Sequence, residues 1–197
     1  MIIGFVGNNR VGKDTSADFL IEIAKENNVE FSRMALADPI KDIARQMFNF
    51  KENQLYGDEK DIIDSRYNIK PRDFFQKFGT EIMQFGIYNY LPDLSIPKRE
   101  FWVNLLLNKI KDELVINPKK IIIITDIRGN HEARRIVEKG GILIKIIKPI
   151  KKELKHITEQ EVDQINNDFI KYTIINDSTL ENLKSKINHI YNQIVTI

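Results

Sequence analysis

The sequence predicts an α/β protein in which a parallel sheet carries helices on both faces. Short apolar runs alternate along the chain with amphipathic stretches of helical spacing. The run Lys120 to Thr125 includes four consecutive isoleucines, which is too short for a buried helix and typical of a strand covered on both faces. Open sheets of this kind bind ligands beyond the carboxyl ends of their strands, so the residues that follow each predicted strand are candidates for a binding site.

The first third of the chain predicts two strands, each followed by a helix. Residues 2–6 form the first apolar run, and residues 31–37 form the second. A helix is expected from Asp38-Pro39 to about residue 48, because Asp is a favoured N-cap and Pro suits the first helical position. Residues 49–70 are polar and weakly periodic, which predicts a loop with a short helical piece.

The middle of the chain predicts two helices that begin at prolines. The helix from Pro71 carries apolar residues at helical spacing. We expect these residues to face the core: Phe74, Phe75, Phe78, Ile82 and Phe85. A second helix is predicted from Pro97 to about Val115.

The last third completes the alternation after the isoleucine strand. A helix over residues 130–139 ends at a glycine pair, and a strand follows at residues 142–147. A strand over residues 172–175 and a helix from Leu180 end the pattern. No internal repeat is present, so we expect one domain.

Composition excludes several classes of protein. The 197 residues include 30 Lys+Arg and 28 Asp+Glu, for a net charge of +2, so the basic field of a sequence-independent nucleic-acid binder is missing. The chain has no cysteine, which excludes disulfides, thiolate metal sites and a cysteine nucleophile. No signal sequence or membrane-spanning apolar run is evident, and we expect a cytoplasmic protein.

The strongest motif is a glycine-bordered loop between the first strand and the first helix. Its nine residues are Gly7, Asn8, Asn9, Arg10, Val11, Gly12, Lys13, Asp14 and Thr15. The glycines permit a tight turn whose N–H groups converge on phosphate oxygens, while the helix N-terminus and Lys13 add positive charge. The alternative is a simple strand-to-helix turn with an exposed lysine.

A second motif follows the isoleucine strand. Asp126 lies at its carboxyl end, where it can hold Mg²⁺ through water or accept a hydrogen bond from a substrate. Arg128 can grip a phosphate in bidentate fashion. The alternative is that Asp126 caps the next helix and Arg128 pairs with Glu132.

Three further polar candidates have weaker signals. Arg72, Gln76 and Thr80 form a stripe at four-residue spacing that could bind a nucleobase edge and a monophosphate, or could simply face solvent. Asp38 is a second candidate, with helix capping as its alternative. The lysine-rich segment from Lys145 to Lys155 could close over a transferring phosphoryl group, although a solvated lysine run explains it equally well.

Together these residues resemble the deoxynucleoside monophosphate kinases of DNA phages and large DNA viruses. The resemblance spans nearly the whole chain. It rests on Gly12-Lys13-Asp14-Thr15, Ala37-Asp38-Pro39-Ile40-Lys41, Leu55-Tyr56-Gly57-Asp58, Arg72 through Gln76 to Gly79-Thr80-Glu81, Thr125-Asp126-Ile127-Arg128 with Asn130 and Glu132, Gly140-Gly141 and His156-Ile157-Thr158-Glu159.

The resemblance implies a three-layer α/β/α P-loop NTPase fold with five parallel strands. Its core would comprise residues 1–37 and 118–197, with an acceptor-binding helical region at about 38–117 and a lid at about 148–160. It also implies small-molecule partners, ATP and a deoxynucleoside monophosphate, together with Mg²⁺. Neither a nucleic acid nor a membrane would be a partner, and some relatives form homodimers. If the chain is viral, its location would be the host cytoplasm.

The resemblance further implies a role for each candidate residue. The loop from Gly7 to Thr15 would hold the ATP phosphates, with Thr15 and Asp14 near the metal and Asn176 and Asp177 near the adenine. The acceptor would be surrounded by Asp38, Arg72, Gln76, Thr80, Trp102, Asp126 and Arg128. Lys13, Asp126 and Arg128 would be catalytic, and Lys148, Lys151 and Lys152 would belong to the lid.

Two other functions stay open from the sequence. The same scaffold could phosphorylate another small phosphorylated acceptor, of the dephospho-coenzyme A or phosphomevalonate type, because acceptor choice depends on pocket details. A non-kinase nucleotide-binding ATPase is the alternative from a different class. ATP consumption that depends on the acceptor would distinguish a kinase from such an ATPase.

Overall fold

The computed structural model describes residues 1–149 and 161–195, and its centre is a sheet of five parallel strands. The strands are β1 (Ile2–Val6), β2 (Phe31–Met34), β3 (Ile121–Ile127), β4 (Ile142–Ile147) and β5 (Ile170–Ile175). Their order is β2-β3-β1-β4-β5, and every neighbouring pair is parallel. The predicted fold class is confirmed.

Both faces of the sheet are buried. One face packs against the first helix, α1 (Lys13–Glu26), and against the last helix, which we label α7 (Leu180–Val195). The opposite face is covered as well, since Ile122, Ile124 and Leu143 are fully buried. This two-sided burial explains the continuous isoleucine run of β3, because no position along a strand covered on both faces favours a polar residue.

The chain divides into two compact units. The sheet unit comprises Met1–Ala35 and Leu106–Ile197, and the helical unit comprises Leu36–Leu105. The second boundary falls within the helix α5 (Phe101–Ile116), whereas the sequence placed it near residue 117. The sheet unit also contains α6 (Asn130–Glu138), which connects β3 to β4.

The helical unit consists mostly of short helical pieces, the first of which has the bounds that the sequence predicted. They are α2 (Asp38–Phe48), α3 (Glu52–Leu55), a 3₁₀ turn (Asp58–Asp61), α4 (Pro71–Gln76), a π-helix (Lys77–Phe85) and a second 3₁₀ turn (Gly86–Asn89). The segment predicted as a polar loop, residues 49–70, therefore has two helical pieces, and it buries Phe50 and Leu55.

The helix predicted from Pro71 changes type after six residues. From Lys77 to Phe85 it is a π-helix, whose wider turn breaks the three- and four-residue spacing of an α-helical face. Ile82 and Phe85 are consequently 49% and 44% exposed, so the prediction that they face the core is wrong. Phe74 keeps its predicted role and stacks on Phe78 with ring centroids 5.0 Å apart.

Among the described residues, no helix is long and apolar enough to cross a membrane.

Candidate active site

The glycine-bordered loop lies where the sequence placed it, between β1 and α1. Gly7 has a φ of 156° and Gly12 a φ of 103°, both of which favour glycine. A Cβ atom on Gly7 would lie 2.6 Å from the carbonyl oxygen of Ile146. The close approach of the neighbouring strand therefore excludes any side chain at this position.

Lys13 begins α1 and folds back over the loop. It is only 7% exposed, and its Nζ donates a hydrogen bond of 2.7 Å to the carbonyl oxygen of Asn8. The alternative of a turn with an exposed lysine is therefore wrong. A buried ammonium group held against the loop backbone can bind an anion in the concavity that the loop forms.

Asn8 contributes a further polar atom to this loop. Its Oδ1 is buried and has no hydrogen-bond partner among the described residues. An unpaired buried oxygen is uncommon in a folded protein and marks a place where a donor or a cation would be stabilised. Its neighbours Asn9 and Arg10 are exposed, and Arg10 has a left-handed φ of 60°.

Asn176, which follows β5, braces the loop from the side. Its Nδ2 donates to the carbonyl oxygen of Val11 at 2.9 Å, and its backbone N–H donates to Ile147 at 2.7 Å. A Cβ atom on Gly12 would lie 2.6 Å from the same Nδ2. The structure thus gives this side chain a supporting contact that the sequence did not predict, because 165 residues separate Asn176 from Val11.

Asp177 differs from its neighbour. Its carboxylate lies 3.4 Å from Nζ of Lys186, and both side chains are exposed. The structure therefore gives Asp177 a surface ion pair, and its predicted place near the adenine stays a prediction.

The residues after Lys13 point in different directions. Asp14 is 77% exposed and forms an ion pair with Arg33, which also bonds Asp18 at 2.8 Å. The structure therefore gives Asp14 a surface ion pair, and its predicted place near the metal stays a prediction. Thr15 is half-buried, and Ser16 is buried with its Oγ bonded to the carbonyl oxygen of Gly12 at 2.8 Å.

Asp126 and Arg128 lie at the carboxyl end of β3, next to the strand that leads into the loop. In the register of the two strands, Ile127 is opposite Val6, the residue before Gly7. The connection that follows β1 leads to β2, which lies beyond β3 in the sheet. The connection that follows β3 leads to β4, which lies on the opposite side of β1. The carboxyl ends of β1 and β3 therefore lie side by side, at the edge of the sheet where open α/β sheets bind ligands.

Glu132 fixes the backbone between β3 and α6. Its Oε2 accepts hydrogen bonds from the N–H groups of Arg128 at 2.8 Å and Gly129 at 2.9 Å. Gly129 is the N-cap, so the alternative in which Asp126 caps this helix is wrong. The one hydrogen bond that joins Glu132 to Arg128 comes from the backbone N–H of the arginine.

Burial also sets the protonation of Glu132. It raises the pKa of this carboxyl group to about 7, and the charge of Asp126 raises it further. The two N–H bonds act in the opposite direction, because they stabilise the carboxylate.

In the helical unit, Arg72 is ion-paired. Its Nε and Nη2 donate to the two carboxylate oxygens of Asp61, the second at 2.9 Å. Gln76 and Thr80 are exposed, but Thr80 lies in the π-helix and so does not continue the spacing of the α-helical stripe. The sequence did not predict Asp61, because nothing in the chain before residue 72 indicates that its loop returns to α4.

Trp102 is a core residue of the helical unit. It is 4% exposed, and its Nε1 donates to the carbonyl oxygen of Gly79 at 2.7 Å. With its surface buried and its single donor satisfied, the side chain holds the π-helix against α5. The structure therefore gives Trp102 a packing role, and its predicted contact with the acceptor stays a prediction.

Asp38 begins α2 without capping it. Ala37 is the N-cap and no side-chain capping bond forms there, so the capping alternative for Asp38 is wrong. Asp38 lies near Tyr56, and its charge adds to burial in raising the pKa of the Tyr56 phenol. This half-buried carboxylate stays a candidate for acceptor binding.

Only part of the predicted lid lies within the described residues. Lys148 is exposed at the end of β4. Lys151, Lys152 and the motif His156-Ile157-Thr158-Glu159 lie outside the described residues. Within residues 1–149 and 161–195, no group of three or more acidic or histidine side chains is placed to hold a metal ion.

The fold and the loop define the class of protein. A phosphate-binding loop after β1 of a β2-β3-β1-β4-β5 parallel sheet, with charged residues after β3, is the arrangement of a P-loop kinase. The fold is similar to that of a dephospho-CoA kinase from Campylobacter jejuni, with 15% identity, a TM-score of 0.51, and coverage of 98% of this chain and 96% of that one.

The chain belongs to the deoxynucleotide monophosphate kinase family. The family model matches residues 57–187, more than half of the chain. A protein of Acanthamoeba polyphaga mimivirus, provisionally named a deoxynucleotide monophosphate kinase, is 30% identical over 191 residues, which is 95% of this chain and 94% of the relative. The protein is therefore a nucleotide-binding phosphotransferase with small-molecule substrates.

Proposed function

We propose that the protein transfers the γ-phosphoryl group of ATP to a deoxynucleoside 5′-monophosphate, giving ADP and the deoxynucleoside diphosphate. The observation that carries the proposal is the loop with its buried Lys13, which follows β1, while Asp126 and Arg128 lie at the carboxyl end of the paired strand β3. Membership of the family supports the class of acceptor. The alternatives are a different phosphorylated acceptor and ATP hydrolysis without an acceptor.

The loop supplies the binding site for the ATP phosphates. Its N–H groups and the positive end of the 14-residue helix α1 attract the phosphate oxygens. The Lys13 ammonium, bonded to the carbonyl oxygen of Asn8 in the structure, exchanges that bond for a β- or γ-phosphate oxygen. Because it is buried, its charge is weakly screened and stabilises the charge that develops during transfer.

The residues of this region fit a magnesium ion. The buried, unpaired Oδ1 of Asn8 and the half-buried hydroxyl of Thr15 are oxygen donors of the kind that Mg²⁺ prefers, and Asp126 lies at the end of the adjacent strand. We assign Thr15 as the protein ligand and Asp126 as the residue that orders metal-bound water. The ion, when bound, neutralises charge on the transferring phosphate.

Asp38, Arg72, Gln76, Thr80, Asp126 and Arg128 are proposed to bind the acceptor. The guanidinium groups of Arg72 and Arg128 orient its phosphate, whose second pKa near 6 leaves the attacking oxygen deprotonated at neutral pH. That oxygen forms a bond to the γ-phosphorus while the bond from the γ-phosphorus to the β,γ-bridging oxygen breaks, and the electron pair leaves with ADP. No general base or covalent enzyme intermediate is needed, because positioning and charge neutralisation supply the acceleration.

An assay of ADP release tests the proposal directly. Each deoxynucleoside and ribonucleoside monophosphate would be offered in turn, together with dephospho-coenzyme A and a control without acceptor. We expect ADP to form only with deoxynucleoside monophosphates. Equal ADP release with and without an acceptor would indicate an ATPase, and release with dephospho-coenzyme A alone would indicate the other acceptor class.

A further inference from the structure

Arg72 is held by one edge of its guanidinium group. Asp61 accepts from Nε and from Nη2, which is the side edge of the planar fork. A guanidinium carries five N–H donors, so the two on Nη1 and one on Nη2 are left by this arrangement. No other described residue accepts a hydrogen bond from Arg72.

We propose that Asp61 is the positioning residue for the acceptor phosphate: it holds Arg72 by the Nε–Nη2 edge and leaves the Nη1–Nη2 end to bind the phosphate. The inference rests on the proposed function, in which Arg72 binds that phosphate. It adds Asp61, a residue outside the sequence motifs described above. A guanidinium can bind two anions at once in this way, because its two bidentate edges share only Nη2.

The loop that carries Asp61 is built around a second, buried carboxylate. Asp64 is 7% exposed and accepts hydrogen bonds from Nε2 of Gln54 at 2.7 Å and from the N–H, Nε and Nη2 of Arg66 at 2.9, 3.0 and 2.6 Å. These donors hold the pKa of Asp64 well below its usual range. The segment is therefore ordered by a charged network that stays ionised at any physiological pH.

Asp64 also connects the two residues of the Asp61–Arg72 ion pair, through its backbone. The backbone of Asp64, three residues after Asp61, pairs with Ile69, three residues before Arg72, through an N–H···O bond of 2.9 Å. The turn between them is closed by a bond of 2.8 Å from the N–H of Asn68 to the carbonyl oxygen of Asp64. The distance between Asp61 and Arg72 is thus set by the backbone of this turn as well as by their own ion pair.

Asp61 has two opposing effects on the affinity of Arg72 for the acceptor phosphate. The charge of Asp61 reduces the attraction of Arg72 for a phosphate, but both side chains are about half exposed, so water and salt screen this effect. Orientation acts the other way, because an arginine that is already ordered loses little side-chain freedom when the phosphate binds. We expect orientation to dominate at this exposed site.

The test compares Asp61→Asn with Asp61→Glu. We expect Asp61→Asn to raise the KM for the deoxynucleoside monophosphate by about three- to tenfold, as the ordering of one long side chain implies, with kcat and the KM for ATP nearly unchanged. Asp61→Glu keeps the carboxylate and should restore most of the affinity. An unchanged or lowered acceptor KM in Asp61→Asn would overturn the proposal.

Two controls separate this inference from the proposed function. Asp42→Asn removes one of the two carboxylate partners of Arg45, 2.7 Å away in a comparable exposed pair, and should leave the acceptor KM unchanged. In Arg72→Met, addition of Asp61→Asn should have no further effect, since the two residues act as one unit. If Arg72→Met itself leaves the acceptor KM unchanged, the proposed role of Arg72 fails. If Arg72→Met raises it and Asp61→Asn does not, only the inference about Asp61 fails.

Discussion

The phosphate loop and the segment that ends at Arg72 achieve order in different ways. The loop is specified by its own glycines, whose conformations and lack of a side chain create the turn. The segment over residues 52–72 instead depends on ion pairs and a buried carboxylate, Asp64, that accepts four hydrogen bonds. The first kind of order is determined by local sequence, whereas the second depends on contacts between residues that are distant in the chain.

The largest expected effect lies in the loop. Lys13→Ala removes a buried cation next to the phosphates, and loss of one such group costs on the order of 10²- to 10³-fold in kcat. ADP release with saturating acceptor measures the effect. Lys25→Ala, near the end of the same helix, is the matched control and should retain activity. A Lys13→Ala enzyme with nearly full turnover would contradict the account.

A second substitution tests whether the loop tolerates a side chain. Gly12→Ala combines a left-handed φ with a contact of 2.6 Å to Nδ2 of Asn176, and we expect ATP binding to be lost while the fold persists. Gly140→Ala shares the left-handed φ, but no atom lies within 4 Å of the added Cβ. The control should lose about 1 kcal/mol of stability and retain ATP binding. Equal ATP affinity in the two variants would refute a steric requirement at Gly12.

A smaller effect is expected at Asn176. Asn176→Ala leaves the carbonyl oxygen of Val11 unpaired, which costs about 1–3 kcal/mol at a buried position and should loosen the loop. Tripolyphosphate, which has no adenine, is the informative ligand. If Asn176 braces the loop, the variant binds tripolyphosphate more weakly than does the unmodified protein. Weaker ATP binding with unchanged tripolyphosphate binding would instead indicate a contact with the adenine.

The smallest effect concerns Glu132 and pH. In the unfolded chain this group has a pKa near 4.5, and burial raises the pKa to about 7 in the folded protein. The folded state therefore binds the proton more tightly, and the stability that this supplies below about pH 4.5 is lost as the pH rises to about 7. We expect Glu132→Gln, which keeps an oxygen acceptor for the capping bonds, to gain stability relative to the unmodified protein across that interval.

Chemical denaturation at several pH values measures this difference. Glu138→Gln, an exposed change on the same helix, should show no such trend. A Glu132→Gln difference that does not vary between pH 4.5 and 7 would show that the carboxyl group is ionised throughout this interval.

The sequence predicted the sheet and the loop well because their signals are local. The isoleucine run of β3 indicates two-sided burial without knowledge of any other element. The strand, the glycines and Lys13 are contiguous, so the loop could be found from nine neighbouring residues.

The pattern along the chain was least informative where tertiary contacts override it. The π-helix from Lys77 to Phe85 exposes Ile82 and Phe85, although their spacing is that of an α-helical apolar face. Trp102 is buried against this π-helix through a bond to Gly79, 23 residues away. Asp14 pairs with Arg33 from the next strand. None of these partners is predictable from spacing along the chain.

The central claim is that the γ-phosphoryl group of ATP moves to a deoxynucleoside monophosphate, and the product itself tests it. ATP labelled at the γ-position would be incubated with the protein and each deoxynucleoside monophosphate, and the nucleotides separated. The account predicts labelled deoxynucleoside diphosphate in a one-to-one ratio with ADP. Label appearing only as inorganic phosphate, whichever monophosphate is present, would contradict it.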